Sequence, residues 1–529
     1  MARSPLMTSL RRAYKVARAS VKTGIPTDEL VDIFQQRTSR RRLLYGGLAL
    51  ASAVGAVLSS GRDSVAFATI PKVLVVGAGI AGLTAAYRLK QAGVPFDIIE
   101  GRNRVGGRIQ SLPNVGGTSV SVDVGGEFID TSHTSMRSLA QELGLQTADL
   151  LAADEGLTRQ TWYFEGRKIP ETEIINYFIP LANKIEQDLA AIGDAPLSYK
   201  SYNQATAVLD NTSLADYLDS VDINPILRQM LRIAFTTELG REPEEQTSLN
   251  LLFLISTDTN TFEVYGESDE KYQIIGGNDQ LPRLLAQSLA NHIEIGTELE
   301  AINTRPDGRY KVSLRSGYRT FERTYERILL TLPFSTLRLV SLRVNLPPVK
   351  RRAIAQLGYG TNTKLITAYS KRVWRDRYNS TAAIFTDTGF QNTWEASRYQ
   401  SGKSGVITDY TGGRQGLAIS KGSPLSQAQI LLPQLEQIFP GITKERQGNA
   451  IRTEWLKQEY TRGSYSCYLV GQVTSIGGSE GETVGNLFFA GEHCSQGAQG
   501  YMEGGCSTGE TAAKEILRSL GLRSGRSVY

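Results

Sequence analysis

The chain has 529 residues, 40% hydrophobic and 21% charged, which marks it as globular, too long for one ordinary core, and neither disordered nor fibrous. The net charge of +5 is concentrated in the leader: residues 1–68 hold eleven Lys/Arg against four Asp/Glu, while the remainder carries 47 bases against 49 acids. A body so close to neutral gives no electrostatic footing for nucleic acid.

The basic leader reads as an address. Ser39 to Tyr45, "SRRRLLY", precedes the apolar run "GGLALASAVGAVLSS" (46–60) and then Ala66-Phe67-Ala68. A charged segment, a short hydrophobic stretch and an A-x-A site are the parts of a secretory signal. Consecutive arginines before a weakly hydrophobic run resemble the twin-arginine type, so export to the periplasm is expected. The alternative is an uncleaved segment that anchors the chain to a membrane, although the run is shorter than the roughly 20 apolar residues a span needs.

After Pro71 comes "KVLVVGAGIAGLTAAYRLKQAGVPFDIIE". Val73 to Val76 is a continuous apolar run, as expected of a strand buried on both faces. It leads into Gly77-x-Gly79-x-x-Gly82 and a helical pattern that starts with Ile80 and Ala81. A second strand, Phe96 to Ile99, ends on Glu100, followed by Gly101 and Arg102. Gly77 allows the tight turn, Gly79 lets a pyrophosphate approach the backbone, and Gly82 lets helix and strand pack closely. The helix N-terminus offers free N–H groups to phosphates, and Glu100 can accept hydrogen bonds from ribose hydroxyls. The strand–turn–helix–strand–Glu context points to a dinucleotide.

Gly106-Gly107-Arg108 follows within "EGRNRVGGRIQS", and "VDVGGEFI" (122–129) supplies another strand ending on Gly125-Gly126, with Glu127 and Phe128 next. Farther on stand "YQIIGGNDQLPRLLAQSL" (272–289), "HIEIGTELEAI" (292–302), "EWLKQEYTRGSYS" (454–466) and "FFAGEHCSQGAQGYMEGG" (488–505). On these motifs, which together cover most of residues 70–520, the chain resembles the flavin-containing amine oxidases, the superfamily of monoamine, polyamine and L-amino-acid oxidases.

The resemblance implies an α/β fold. A discontinuous Rossmann-like FAD-binding domain would be built from 69–130, 271–335 and 451–529, after a signal segment 1–68. A substrate domain of mixed sheet and helix would be built from 131–270 (helical) and 336–450, in the amine oxidase or p-hydroxybenzoate hydroxylase-like arrangement. It implies that Gly107 and Arg108 continue along the FAD pyrophosphate, that Gly125 and Gly126 lie under the flavin, and that the backbone near Leu299 meets the adenine. Trp455 would line the flavin, Gly491 and Glu492 would meet the ribityl–phosphate region, and Gly500, Tyr501 and Met502 would lie at the ring. A helix is expected over Ser507 to Leu517 after the strand 487–490.

For chemistry, the resemblance places Tyr465 and Tyr501 on either side of an amine above the flavin. Lys364, in "GYGTNTKLITAYSKRVW", takes the position of the lysine that holds a water near flavin N5. Ser464 stands where some members carry a cysteine bound to flavin, so FAD should be non-covalent. The cysteines (467, 494, 506) and histidines (133, 292, 493) show no metal-type spacing, and no metal is expected.

The expected reaction is oxidation of an amine or an L-amino acid, including a basic one, to an imine, with O2 or a quinone as acceptor. Glu127, Glu263 and Asp409 are acids that would favour a cationic substrate. The readings in other classes are a carotenoid-type flavin desaturase or isomerase and a flavin-stabilised binding protein. Assembly as a homodimer is left open.

Overall fold

The computed structural model describes residues 70–522 apart from Glu267; the leader and its expected signal lie outside the described residues. Val73–Val76 is fully buried and pairs in parallel with Phe96–Glu100 on one side and Arg327–Leu330 on the other. Ile293–Ile295 and Leu487–Phe489 extend this to a five-stranded, wholly parallel sheet. Three stretches of chain, far apart in sequence, therefore meet in one sheet. Such sheets are covered on both faces, which is why their strands read as unbroken apolar runs.

The helix Ile80–Gln91 follows the first strand, and the helix Met502–Ser519 packs across it. The approach is close: a Cβ on Gly505 would come 2.7 Å from Ile80 Cγ2, and one on Gly509 would come 2.4 Å from the Ala81 carbonyl oxygen. The last helix thus begins at Met502, five residues before the expected Ser507. The four residues Glu503 to Cys506 are buried against its neighbour and so belong to the helix rather than to a loop.

A second sheet has seven strands in the order Arg446–Glu454, Thr363–Tyr369, Gly405–Thr411, Asn392–Glu395, Ile384–Thr386, Thr161–Phe164, Arg167–Lys168. Thr363–Tyr369 is buried throughout. Alternation puts Leu365 and Tyr369 on the face covered by the helix Pro424–Ile438, and Lys364, Ile366 and Ala368 on the other. In register, Lys364 stands beside Tyr410, and Tyr410 beside Asn392. The stretch 131–270 is mainly helical, with Glu171–Ile192 and Pro225–Leu239 the longest helices. Among the described residues, no helix is long and apolar enough to cross a membrane.

The expected strand 122–129 is a short pair, Val122–Asp123 with Ser111–Leu112, after which the chain leaves the ladder. The glycine pair explains the break. A Cβ on Gly125 would sit 2.0 Å from the Arg108 carbonyl oxygen, and one on Gly126 would sit 2.7 Å from Met502 Cγ.

Candidate active site

A cavity of about 850 Å³ runs between the parallel sheet and the seven-stranded sheet. One half is built from backbone. Gly77 has φ +106°, and Gly107, at φ +58°, faces Gly79 so closely that a Cβ on it would lie 3.3 Å from the Gly79 Cα. Gly82 is excluded from the lining because it sits against the turn itself, where a Cβ would fall 2.0 Å from the Gly77 carbonyl oxygen. The helix Ile80–Gln91 has no side-chain cap and no acid in its first turn, and Ile80 and Ala81 line the cavity. The helix Met502–Ser519 is likewise uncapped, and Met502 and Gly505 line the same space. The open N-terminus of the helix Ile80–Gln91 on a glycine-lined trough fits a diphosphate, whereas the helix Met502–Ser519 carries Glu503 in its first turn.

The charges of this half are settled. Glu100 accepts the N–H of Ala78 and of Arg102, each at 2.9 Å. Arg102 donates to the Gly107 carbonyl and to Gln458, and burial lowers its pKa to about 10. Arg108 donates to the Ser464 carbonyl at 2.7 Å and to Glu492 at 2.9 Å. Glu492 also accepts from the Ser466 hydroxyl at 2.6 Å and the Gly500 N–H at 2.9 Å. Burial pushes the Glu492 carboxyl up, but Arg108, His493 and Ser466 together hold it below its ordinary value.

Gly101 and Trp455 also line the cavity. Leu299 departs from expectation: it is buried in the strand Thr297–Thr304 and does not line the cavity. That strand reaches the site through Tyr460, whose hydroxyl donates to Glu298 at 2.6 Å and whose ring lies against Gly101.

The other half is built from side chains. Lys364 Nζ donates to the carbonyls of Asp123 (3.0 Å) and Gly125 (2.9 Å) and to Glu127 Oε2 (2.6 Å). All three of its protons are therefore engaged. Glu127 Oε1 accepts from Trp394 Nε1 at 3.0 Å, and Phe128 packs on the Trp394 ring. The Tyr465 ring lies beside Gly500, the residue before Tyr501. Tyr465 shares a 2.8 Å hydrogen bond with the Tyr410 hydroxyl and donates to the Glu238 carbonyl. Tyr501 stands 3.4 Å from Glu238 Oε1.

Among the expected acids, Glu127 and Glu263 line the cavity, whereas Asp409 is buried on the opposite face of its strand from Tyr410. Glu238, Glu270, Tyr410 and Trp394 line the cavity without any signal in the sequence. "TTELG" and "ESDE" read as a helix end and a polar loop, and only the fold turns their carboxylates inward. Burial, with the like charge of Glu270 and then Asp130, raises Glu238 to about 8; burial raises Glu270 to about 7.

The cavity is also lined by Arg159, 3.8 Å from Glu263, and Arg398, 3.5 Å from Asp154. With Lys364 on Glu127, every cation of this half stands against a carboxylate. Glu171, Glu238, Asp269 and Glu270 line the cavity with no ion-pair partner within 4 Å among the described residues, although Arg398 and Arg159 act to lower the Glu270 carboxyl. No cysteine lines the cavity; Ser464 Oγ donates to Asn362 at 2.7 Å, and Cys467 is buried elsewhere. No cluster of metal-ligating residues occurs among the described residues.

Residues 80–517 match the family model for flavin containing amine oxidoreductases. Amine oxidase [flavin-containing] A of Sus scrofa is 22% identical over 484 residues, covering 86% of this chain and 87% of that protein. Amine oxidase [flavin-containing] B of Mus musculus is 24% identical over 472 residues, covering 85% and 86%. Among solved structures, cyclohexylamine oxidase from Brevibacterium oxydans superposes with a TM-score of 0.74 at 20% identity, covering 85% of this chain and 99% of that one. Putrescine oxidase bound to putrescine gives 0.72 at 18% identity with the same coverage.

Proposed function

The chain belongs to the flavin-containing amine oxidoreductase family and takes FAD as its cofactor, and from that premise we propose that it oxidises a cationic amine that carries no α-carboxylate. The carrying observation is the charge balance of the substrate half. Gripping a carboxylate needs a free cation; Lys364 is held by Glu127, Arg159 faces Glu263, and Arg398 shares Asp154 with Arg375. Glu238 and Glu270, which have no ion-pair partner within 4 Å among the described residues, instead favour a positive guest once ionised, at about pH 8 and 7. Those same charges disfavour a lipid and with it the desaturase reading.

Bound FAD supplies the hydride acceptor for the C–N oxidation. The protein's part is placement. Tyr465 and Tyr501 bracket the amine, and their rings exclude bulk water from the reacting carbon. Lys364 clamps the backbone of Asp123 and Gly125 and the carboxylate of Glu127, fixing the turn that carries the glycine pair. FAD is held non-covalently, since Ser464 offers no thiol. O2 is the proposed acceptor, giving H2O2, in line with the oxidase names of the similar proteins; a quinone is the alternative. Export by the twin-arginine route remains part of the proposal and is checked by cell fractionation.

The test is anaerobic titration of the purified yellow protein with primary alkylamines and with the proteinogenic amino acids. Amines should bleach the flavin and amino acids should not; bleaching by amino acids alone would refute the reading. Stoichiometric peroxide on re-admitting O2, weighed against dye reduction, separates oxidase from dehydrogenase.

A further inference from the structure

Hydride leaves a carbon with the help of the neighbouring nitrogen lone pair, which an ammonium has committed to a proton. An alkylammonium entering the cavity must therefore lose a proton there before it can react. Most of the groups facing this space cannot take it. Lys364 is a cation with every proton engaged. Both oxygens of Glu127 already accept hydrogen bonds. Asp269 accepts the Thr131 N–H and hydroxyl, and Glu171 accepts the Phe262 N–H; Asp130, outside the lining, accepts the Glu270 N–H at 2.9 Å and stands 3.4 Å from His133 Nε2. Glu263 and Asp154 face arginines. Burial raises the Tyr265, Tyr410, Tyr465 and Tyr501 hydroxyls, which stay neutral.

Glu238, Glu270 and Glu171 remain, and only Glu238 touches the tyrosine pair. Its carbonyl accepts the Tyr465 hydroxyl, and its Oε1 faces the Tyr501 hydroxyl at 3.4 Å. Its Oε2 accepts no hydrogen bond from any described residue. Resting on the amine reading above, we propose that Glu238 Oε2 takes the proton of the bound ammonium. One N–H bond breaks and one O–H bond forms; ammonium and carboxylate become amine and carboxylic acid, with no change in net charge. No electron moves in this step. The raised carboxyl, about 8, supports the transfer, because an ordinary glutamate near 4.5 would lie far below an alkylammonium. The alkylammonium itself titrates near that of a lysine side chain, about 10.4.

The experiment follows flavin reduction by a primary alkylamine against pH, anaerobically, in wild type, Glu238→Gln, Glu238→Asp and Glu270→Gln. In parallel it measures, from the flavin spectrum, binding of tert-butylamine, which has no α-hydrogen and cannot be oxidised. In wild type, kcat/KM and affinity should rise to a plateau near pH 8, the value of the Glu238 carboxyl. Glu238→Gln should move both limbs up to the pKa of the free amine, about two units, with roughly a hundredfold loss at pH 8. Glu238→Asp should restore the lower limb. Glu270→Gln, which removes the like charge, should move the limb below its wild-type position. A uniform loss of affinity in Glu238→Gln with the limb unmoved would make Glu238 a mere cation-binding group and overturn the proposal. If wild-type flavin is bleached by no amine at any pH, the amine reading falls, and this inference falls with it.

Discussion

The two halves of the cavity solve opposite problems. Around the trough of Gly77, Gly79 and Gly107 the protein contributes bare backbone, and Glu100, Arg102, Arg108 and Glu492 there already have hydrogen-bond partners within the protein. Around Tyr465 and Tyr501 it contributes side chains, and Glu238 and Glu270 have no ion-pair partner within 4 Å among the described residues. One half is complete before its guest arrives, while the other waits for a charge to be brought in. The first should therefore fail completely when disturbed, and the second should change by degrees.

The harshest way to break that contrast is Gly82→Val. Any Cβ there meets the Gly77 carbonyl at 2.0 Å, a backbone atom that cannot step aside. The expected product is colourless protein that no longer takes up FAD, read from the absorbance of the purified sample. A yellow Gly82→Val protein would show that the trough tolerates more than its packing allows.

Glu492→Gln comes next. Removing one partner of a buried ion pair typically costs about 3–5 kcal/mol, so a large fall in melting temperature is expected. The sign with pH is fixed by the direction of the shift. The folded carboxyl lies below its ordinary 4.5, so its stabilisation is present above that value and is lost as pH falls through the folded value. The gap between wild type and Glu492→Gln should therefore be widest at neutral pH and close in acid.

Lys364→Met sharpens the comparison from the other side. It should leave FAD bound while slowing flavin reduction sharply, because Glu127 is released from its clamp and left buried without a cation. Reduction at the wild-type rate would remove Lys364 from the mechanism. The smallest effect belongs to Tyr501→Phe, which keeps the ring and loses the hydroxyl's contacts to Glu238, at 3.4 Å, and to Ser268. A loss of a few-fold in kcat/KM is expected, in keeping with roughly 0.5–1.5 kcal/mol for one hydrogen bond.

The same contrast explains what could be read from the residues alone. Val73–Val76, Gly77, Gly79, Gly82 and Glu100 are spaced by local geometry, and a local pattern survives in a linear string. Tyr465 and Tyr501 were legible because each sits inside a glycine-rich motif. Glu238 and Glu270 were not, since a helix end and a loop gain meaning only when a distant strand supplies the opposite wall. Leu299 was placed too directly: its strand reaches the cavity through Glu298 and Tyr460. Lys364 was found, but the saturation of its three protons could be seen only once Asp123, Gly125 and Glu127 were gathered around it.

The parallel sheet carries a further cost in time. Arg327–Leu330 stays an open edge until Leu487–Phe489 has been made and has found it, and until then unpaired N–H and C=O groups are displayed beside apolar side chains. Pairings between remote segments form slowly. A newborn chain should therefore pass through a sticky, half-closed stage, which sequestering by chaperones would protect.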